Sequence, residues 1–308
     1  MSTETTEPAR KSQAYIKLQV NDETAPLEAV VLGIAQDMGE QLDINPVSKF
    51  HIQNGTYPTE EDIIREIATF EKVLKDQGVM VFRPEVLSAT DQIFTRDIGF
   101  VIEDKFVIAN MLEPARAREL PGIQYLLSQL DPNNTLKPPP AARVEGGDVL
   151  LWGEHIFVGI SHRTNMEGYA FLKSAFPDKY VHALPLVVSD DPDAHVLHLD
   201  CTFQPVGKDQ AIIYHDGFAE PPEILYKLFD KDKLIEVNLD EKKRMFPNVF
   251  SIGPNKVVVE RTFVRLKEAL EARGFEVFEV DYTETSKLSG LLRCSTLPLR
   301  RSYETDQG

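Results

Sequence analysis

Cysteine is scarce in this chain of 308 residues, which contains only Cys201 and Cys294. Two cysteines so far apart exclude a C-x-x-C zinc or redox motif and a small disulfide-stapled scaffold. Long apolar runs are also missing, since no stretch approaches the roughly 18 apolar residues that would span a bilayer. Residues 1–11 are rich in Ser, Thr and Glu and lack the apolar segment of a secretory signal. We therefore expect a cytoplasmic protein that does not associate with membranes.

The chain has fewer basic than acidic residues. The chain has 33 Lys and Arg against 49 Asp and Glu, a formal net charge of −16. Such a field repels phosphate backbones and acidic membrane surfaces and attracts cations. Hydrophobic residues make up 42% and charged residues 27%, values typical of a globular chain that buries a core. The composition excludes a disordered polyelectrolyte and disfavours a nucleic-acid partner.

A repeat dominates the pattern of the chain. Four segments each contain an apolar run, a turn and a second apolar run, and their starts lie about fifty residues apart. The segments are residues 97–110, 147–159, 198–214 and 248–260. Turn sequences such as Gly-Glu-His and Gly-Pro-Asn-Lys separate the runs, so each segment predicts a β-hairpin.

Helical periodicity occupies the intervals between the hairpins. Apolar residues in 60–77 follow i, i+3, i+4, i+7 spacing, Gly78 is placed to end that helix, and a short strand follows at 79–84. The same helix-to-strand order recurs at 261–280, with weaker copies at 116–130, 165–186 and 221–237. The repeating unit is therefore hairpin, helix and strand.

The two ends of the chain predict a fifth unit. An apolar strand at residues 27–34 and an apolar stretch at 291–299 can pair and close a ring, which removes exposed sheet edges. We predict an α/β fold, a single five-bladed α/β propeller with pseudo-fivefold symmetry over residues 27–301. Residues 1–26 are predicted to form a polar, partly flexible N-terminal segment, and residues 302–308 a flexible tail.

Residues with ionisable or nucleophilic side chains lie at the starts of the hairpins. If the repeats are equivalent, these starts lie together at one rim of the ring. The clusters are Thr95-Arg96-Asp97, Glu145-Gly146-Gly147-Asp148, His198-Leu199-Asp200 and Arg293-Cys294-Ser295-Thr296. The fourth hairpin offers only Asn248 and is interpreted as structural. Carboxylates around a thiol raise its pKa, so the set predicts a cationic ligand. A guanidinium fits, because its planar fork pairs with carboxylates in a bidentate manner.

Five motifs resemble those of the guanidine-modifying enzymes, the pentein superfamily of arginine deiminases, dimethylargininases and amidinotransferases. They are Thr95-Arg96-Asp97, Glu145-Gly146-Gly147-Asp148, Ser161-His162-Arg163-Thr164, His198-Leu199-Asp200 and Cys294-x-Thr296-x-Pro298-Leu299. They occur in the family's order within residues 27–301. The resemblance implies the five-bladed propeller, no cofactor, no metal and a small guanidino substrate such as arginine or a derivative. It is also compatible with a homodimer.

The resemblance implies catalytic roles for three residues. Cys294 would be the nucleophile that forms a covalent amidino adduct. His198 would protonate the leaving nitrogen and then activate the incoming nucleophile. Glu145 would contact the guanidinium or His198.

Four further residues are implied to bind the substrate. Asp97 and Asp200 would hold the guanidinium nitrogens, and Arg163 would pair with a substrate carboxylate. Asp148 would contact the substrate or hold its own loop through backbone amides.

The sequence leaves two reactions open, hydrolysis and amidinotransfer. The Glu-Gly-Gly-Asp motif, Arg163 and Pro298-Leu299 favour a hydrolase acting on arginine or a substituted arginine, whereas Thr296 and Arg300-Arg301 resemble the amidinotransferases. A non-catalytic binding protein on the same fold is the less favoured alternative. A zinc site at His195, His198 and Asp200 is disfavoured because adjacent strand residues point to opposite faces. Cys201 is interpreted as a buried structural residue.

Overall fold

The computed structural model describes residues 16–302. Within this range fifteen strands form five three-stranded sheets. In each sheet the middle strand is antiparallel to one neighbour and parallel to the other. The sheets are β1 (Leu27–Leu32), β2 (Met80–Phe82) and β15 (Thr296–Arg301); β3 (Gly99–Ile102), β4 (Lys105–Ile108) and β5 (Thr135–Leu136); β6 (Val149–Trp152), β7 (His155–Ile160) and β8 (Tyr180–Pro185); β9 (Phe203–Val206), β10 (Gln210–Ile213) and β11 (Leu234–Glu236); and β12 (Phe250–Gly253), β13 (Lys256–Glu260) and β14 (Glu276–Val280).

Helices lie in the connections between and within these sheets. They are α1 (Pro46–Gln53), α2 (Glu60–Asp76), α3 (Pro114–Ala117), α4 (Gln124–Leu127), α5 (Met166–Ala175), α6 (Glu223–Leu228), α7 (Leu239–Lys243), α8 (Val264–Glu271) and α9 (Thr283–Ser286). Short 3-10 turns at Gly146–Asp148 and Leu199–Cys201 lead into β6 and β9. None of the helices in the described range has the length and apolarity that crossing a bilayer requires.

Helix α2 confirms the predicted helix and its end. The Thr59 side chain accepts a hydrogen bond from the Asp62 amide, which caps the first turn, and three acidic residues occupy that turn. Gly78 follows the helix with a φ of 79°, a left-handed conformation that glycine adopts without steric cost. The four predicted hairpins are also present, as β3–β4, β6–β7, β9–β10 and β12–β13.

Two helical regions differ from the sequence pattern. The helix predicted over 116–130 is divided into α3, a 3-10 turn at Leu120–Ile123 and α4, because Pro121 cannot continue an α-helical hydrogen-bond ladder. Helix α1 was not predicted. It starts at Pro46 after Asn45, whose Oδ1 accepts a hydrogen bond from the Ser48 amide at 2.8 Å.

The first and last strands of the described chain pair with each other. Strand β1 runs antiparallel to β15, with Leu32 opposite Thr296, as the sequence predicts. Side chains of β1 alternate between two buried apolar clusters, with Val30 in one and Val31 in the other. Both faces of this strand are therefore inside the protein beyond Glu28, which explains the apolar run over residues 29–32.

Part of the N-terminal segment packs against the sheets. Val20 forms a bridge with Glu103, Gln19 forms one with Arg300, and the Glu23 side chain is buried. The rest of the predicted flexible segment, residues 1–15, and the tail from 303 onward lie outside the described residues. Residues 16–26 therefore contribute to the interior that surrounds the candidate site.

Candidate active site

The five sheets each direct the start of one strand toward a common cluster. Asp97 precedes β3, Glu145 precedes β6, His198 and Asp200 precede β9, Asn248 precedes β12, and Cys294 precedes β15. All six side chains are buried. The convergence follows from the repeat, since equivalent positions in equivalent sheets face the same region.

Cys294 lies between a carboxylate and an amide. Its Sγ is 3.7 Å from Oδ2 of Asp200 and 3.2 Å from Nδ2 of Asn248. Asn248 Oδ1 also accepts a hydrogen bond from the Cys294 amide at 3.2 Å. One side chain therefore contacts both the backbone and the sulfur of Cys294. The sequence analysis interpreted the hairpin of Asn248 as structural, and the structure adds that this side chain contacts the sulfur directly.

The Cys294 thiol is neutral in this environment. Burial raises the pKa of Cys294 well above its ordinary value, and the carboxylate of Asp200 raises it further because it disfavours a second negative charge. A thiol becomes an effective nucleophile only as the thiolate. A positive charge next to the sulfur would lower this pKa.

A buried ion-pair chain holds Asp200. Arg293 Nη1 donates to Asp200 Oδ2 at 2.9 Å, and Arg293 Nη2 donates to Glu23 Oε1, also at 2.9 Å. All three side chains are buried. Burial opposes the charge of Glu23, but Arg293 and its neighbours outweigh it and lower the pKa of Glu23 to about 2. Glu23, which lies in the N-terminal segment, is thus connected to Cys294 through Arg293 and Asp200.

His198 is held by Glu145. His198 Nε2 is 2.9 Å from Glu145 Oε2, and Arg163 Nη1 is 3.5 Å from the same oxygen. Burial by itself lowers the pKa of His198, but the carboxylates of Asp97, Asp148 and Glu145 outweigh it and raise that pKa to about 9. Burial conversely opposes the charge of Glu145, while His198 and Arg163 lower its pKa to about 2. At neutral pH the pair is an imidazolium and a carboxylate.

Two buried polar atoms of the cluster have no hydrogen-bond partner among residues 16–302. They are Oδ1 of Asp97 and Nδ1 of His198, and the 3.7 Å between them is too long for a hydrogen bond. The other Asp97 oxygen accepts from Arg116 Nη1 at 3.1 Å. One acceptor and one donor are therefore available to a ligand that bonds to both.

Glycine at position 147 permits this close approach. A Cβ atom there would lie 2.7 Å from His198 Cγ and 2.8 Å from Oδ1 of Asp97. At Gly146 a Cβ would lie 2.1 Å from the Arg96 carbonyl oxygen. The Glu-Gly-Gly-Asp motif is thus required sterically, because side chains at its centre would displace the histidine and a neighbouring strand start.

A narrow cavity opens onto the cluster. Asp97, Arg163 and Cys294 line it, and the segment that precedes α1 covers it with Ile44 and Asn45. Its volume is about 20 Å3, room for about one water molecule. Arg163 Nη2 donates to the Ile44 carbonyl at 2.9 Å, which ties this cover to the site. The cover must move before a guanidino compound can enter.

Asp148 is used by the protein itself. Its Oδ1 accepts from the Leu199 amide at 2.9 Å, and its Oδ2 accepts from Ser161 Oγ at 2.7 Å. Burial raises the pKa of Asp148 to about 7. These contacts place it between the loops that carry His198 and Arg163, in agreement with the loop-holding alternative.

Three residues of the cluster could also hold a cation. The ligand atoms of Asp97, Glu145 and His198 all lie within 4.8 Å of one another. Imidazole and carboxylate ligands suit divalent metals. His195, which the zinc hypothesis included, is not among them.

Comparisons with known proteins identify the family. A family model described as eukaryotic N,N dimethylarginine dimethylhydrolase matches residues 43–301. The chain belongs to this family. It is also 33% identical over 212 residues to the uncharacterized protein YkgA of Bacillus subtilis, an alignment that covers 68% of this chain and 70% of YkgA.

Two solved structures share the fold of this chain, which is that of the pentein superfamily. The N-terminal domain of an ArgZ variant, covalently bound to a reaction intermediate, superimposes with a TM-score of 0.78 at 20% identity and covers 89% of this chain and 98% of that domain. SxtG, an amidinotransferase from Microseira wollei, gives a TM-score of 0.74 at 21% identity, covering 94% of this chain and 99% of SxtG.

The structure brings together all seven predicted site residues and adds others. Cys294, His198, Glu145, Asp97, Asp200 and Arg163 form the cluster and its cavity, with Asp148 behind them. The sequence analysis missed Glu23, Arg116 and Asn248 as contributors. Asn248 was detectable from its equivalent repeat position; Glu23 had no signal, since it lies outside the repeats.

Proposed function

We propose that this protein modifies the guanidino group of arginine or a substituted arginine through a covalent adduct on Cys294, and that it is a hydrolase. The observation that carries the proposal is the buried cluster of a neutral thiol, an imidazolium and three carboxylates, of which Cys294 and Asp97 line one small cavity. None of the cationic groups among residues 16–302 contacts the sulfur, and a bound guanidinium would supply such a charge.

Binding would place the guanidinium among the acids. Oδ1 of Asp97, which lacks a partner among the described residues, would accept from one nitrogen. Asp200 would accept from another while it keeps its contact with Arg293. A substrate carboxylate would replace the Ile44 carbonyl on Arg163, which couples opening of the cover to recognition of an amino acid.

The first half of the reaction follows from the charges. The guanidinium lowers the pKa of Cys294, so the thiol releases its proton to solvent, and the thiolate attacks the central carbon to form an S–C bond. His198, already protonated, transfers its Nδ1 proton to the departing nitrogen as the C–N bond breaks. Glu145 holds the opposite ring nitrogen, so the imidazole keeps its orientation throughout.

The second half returns the thiol. Neutral His198 takes a proton from water, the resulting hydroxide adds to the adduct carbon, and the S–C bond breaks to give a ureido product and free Cys294. An amine that attacked in place of water would give a new guanidino compound. Thr296 and Arg300, which suggested this alternative, are engaged elsewhere: Thr296 Oγ1 donates to the Arg293 carbonyl at 2.8 Å, and Arg300 pairs with Glu28. Neither residue lines the reaction cavity, so neither supports amidinotransfer.

A product assay tests the proposal. The enzyme is incubated with arginine, methylated arginines and smaller guanidines, with and without glycine, lysine or ornithine, and products are identified by mass spectrometry. Citrulline with released ammonia or methylamine is expected. A guanidino product that forms only with the acceptor amine would replace hydrolysis by amidinotransfer. No turnover of any guanidine would overturn the enzymatic proposal.

The histidine variant separates the two halves. His198→Ala is expected to accumulate an adduct on Cys294 with substrates whose leaving group needs no protonation, because the water-activating base is missing. Intact-mass measurement followed by peptide mapping detects it. Normal turnover in this variant would remove His198 from the mechanism.

We also propose that the five sheets are the blades of one α/β propeller around a pseudo-fivefold axis, formed by residues 27–301 as a single catalytic domain. The shared strand order of the sheets and the β1–β15 pairing support it. A circular permutant that opens the chain at the exposed Gly153 turn and joins the natural ends through a linker should retain the fold. Failure of several such permutants to fold would contradict a closed ring.

A further inference from the structure

A second cavity lies next to the reaction cavity. Its volume is about 370 Å3, within the range of roughly 300–1,000 Å3 that is usual for small-molecule sites. Leu197 and Ser289 line both cavities. Helix α1 also contributes to both, with Ser48 in the first and Val47 in the second. The steps proposed above use none of the polar groups in this second space.

Lys242 is the first of two buried donors that line the second cavity. It is only 4% exposed, and its Nζ donates to the carbonyl oxygens of Asp193 at 2.9 Å and His195 at 2.6 Å. Both acceptors are uncharged, so these contacts leave the positive charge unneutralised. Burial lowers the pKa of Lys242, as expected for an ammonium that lacks an anion in contact. One of its three N–H groups remains for a ligand.

His195 is the second donor. It is 7% exposed, and its Nδ1 lies 3.5 Å from the Ser189 amide, which assigns the ring proton to Nε2. That Nε2 is buried and has no hydrogen-bond partner within residues 16–302. Burial and, secondarily, Lys242 lower the pKa of His195 to about 4, so the ring is neutral at physiological pH. A buried N–H of this kind is costly unless an acceptor reaches it.

The other residues that line the second cavity indicate the class of ligand. Val47, Phe50, Leu197 and Met245 provide apolar surface. The other lysine in the lining, Lys243, is already paired with Asp193 Oδ2 at 2.6 Å. Lys242, Lys243 and Asp193 together give the lining one net positive charge beside a neutral imidazole, which suits a monoanion better than a phosphate.

We propose that the second cavity binds a small aliphatic monocarboxylate, whose carboxylate accepts hydrogen bonds from Lys242 Nζ and His195 Nε2 while its chain packs on Phe50 and Met245. This site is separate from the guanidino site and does not depend on the proposed function.

Hexanoate is the probe, with hexylamine as the charge-reversed control. Binding to the full chain is measured by calorimetry and by ligand-observed NMR. Saturable binding of hexanoate and none of hexylamine is expected. Lys242→Met should weaken hexanoate binding at least tenfold. Both Phe50→Glu and Phe50→Lys lose the apolar contact, but Phe50→Glu should weaken binding clearly more than Phe50→Lys because its charge repels the carboxylate. The side chain of Phe50 is 48% exposed, so this pair tests charge without risk to folding.

Three results would overturn the proposal. The first is the absence of saturable hexanoate binding. The second is binding that Lys242→Met and the two Phe50 variants leave unchanged; if Lys242→Met does not fold, the Phe50 pair decides alone. The third is displacement of hexanoate by L-arginine from the Cys294→Ser enzyme, which would place the carboxylate on Arg163 in the reaction cavity.

Discussion

Replacement of Asp200 by asparagine tests the electrostatic state of the nucleophile. The carboxylate lies 3.7 Å from Cys294 Sγ. At an effective dielectric constant of about 20, two like charges at about 4 Å repel by about 4 kcal/mol. Removal of the carboxylate abolishes this repulsion and should therefore lower the pKa of Cys294. Burial, the largest cause of the raised pKa, is unchanged and keeps part of the elevation.

The assay follows the thiolate directly. The rate of alkylation by iodoacetamide is measured against pH in a Cys201→Ser background, so that a single thiol reports, and the thiolate ultraviolet absorbance gives an independent titration. Asp200→Asn should react at a pH where the parent is inert, although it binds substrate more weakly. Asp209→Asn is the matched control, because that exposed carboxylate pairs with Lys233 at the surface. A folded Asp200→Asn enzyme with the parent's alkylation profile would refute the reasoning.

Three further changes probe separate parts of the site. Glu145→Gln removes an anion that stabilises the imidazolium, so the pKa of His198 should fall from about 9 and the alkaline limb of the single-turnover rate should move to lower pH; an unmoved limb would contradict the pairing. Cys294→Ser should abolish turnover yet retain arginine binding in calorimetry, and residual turnover would exclude the cysteine as nucleophile. Glu23→Ala should destabilise the protein to urea by about 3–5 kcal/mol because its arginine partner stays buried, whereas Glu28→Ala, at an exposed pair, should cost at most about 1 kcal/mol.

Stability should also depend on pH through the histidine pair. The folded-state pKa of His198 is raised to about 9 from an ordinary value of 6.5, so its contribution is complete below about pH 6.5 and disappears as pH rises through 9. The pKa of Glu145 is lowered to about 2 from 4.5, so its contribution is complete above 4.5 and disappears as pH falls through 2. The histidine pair therefore stabilises the fold most between about pH 4.5 and pH 6.5.

The sequence predicted the elements that a local pattern determines. Alternating apolar runs and turn residues defined the four hairpins, and helical spacing with Gly78 defined α2. Residues at hairpin starts could be grouped because a repeat makes their positions equivalent. The pairing of β1 with β15 followed from the same count, since each end supplied one unmatched strand.

The remaining features depend on contacts that leave no local pattern. Glu23 precedes the repeats, and only the folded chain places it against Arg293. Helix α1 lacks a strong apolar periodicity, and its start is defined by the Asn45 cap and Pro46 rather than by core residues. Asn248 was identified as an equivalent position, but nothing in its residue type indicated contact with a sulfur.

The pairing of β1 with β15 has a consequence for biosynthesis. β1 is translated early, and its antiparallel partner is the final strand of the described chain, immediately after the nucleophile. Until that strand leaves the ribosome, β1 lacks this partner and the residues on both its faces cannot be fully enclosed. Contacts between such distant segments close slowly. During synthesis β1 therefore lacks this partner until almost the whole described chain has been made, and Cys294 can reach the acidic cluster only at that stage.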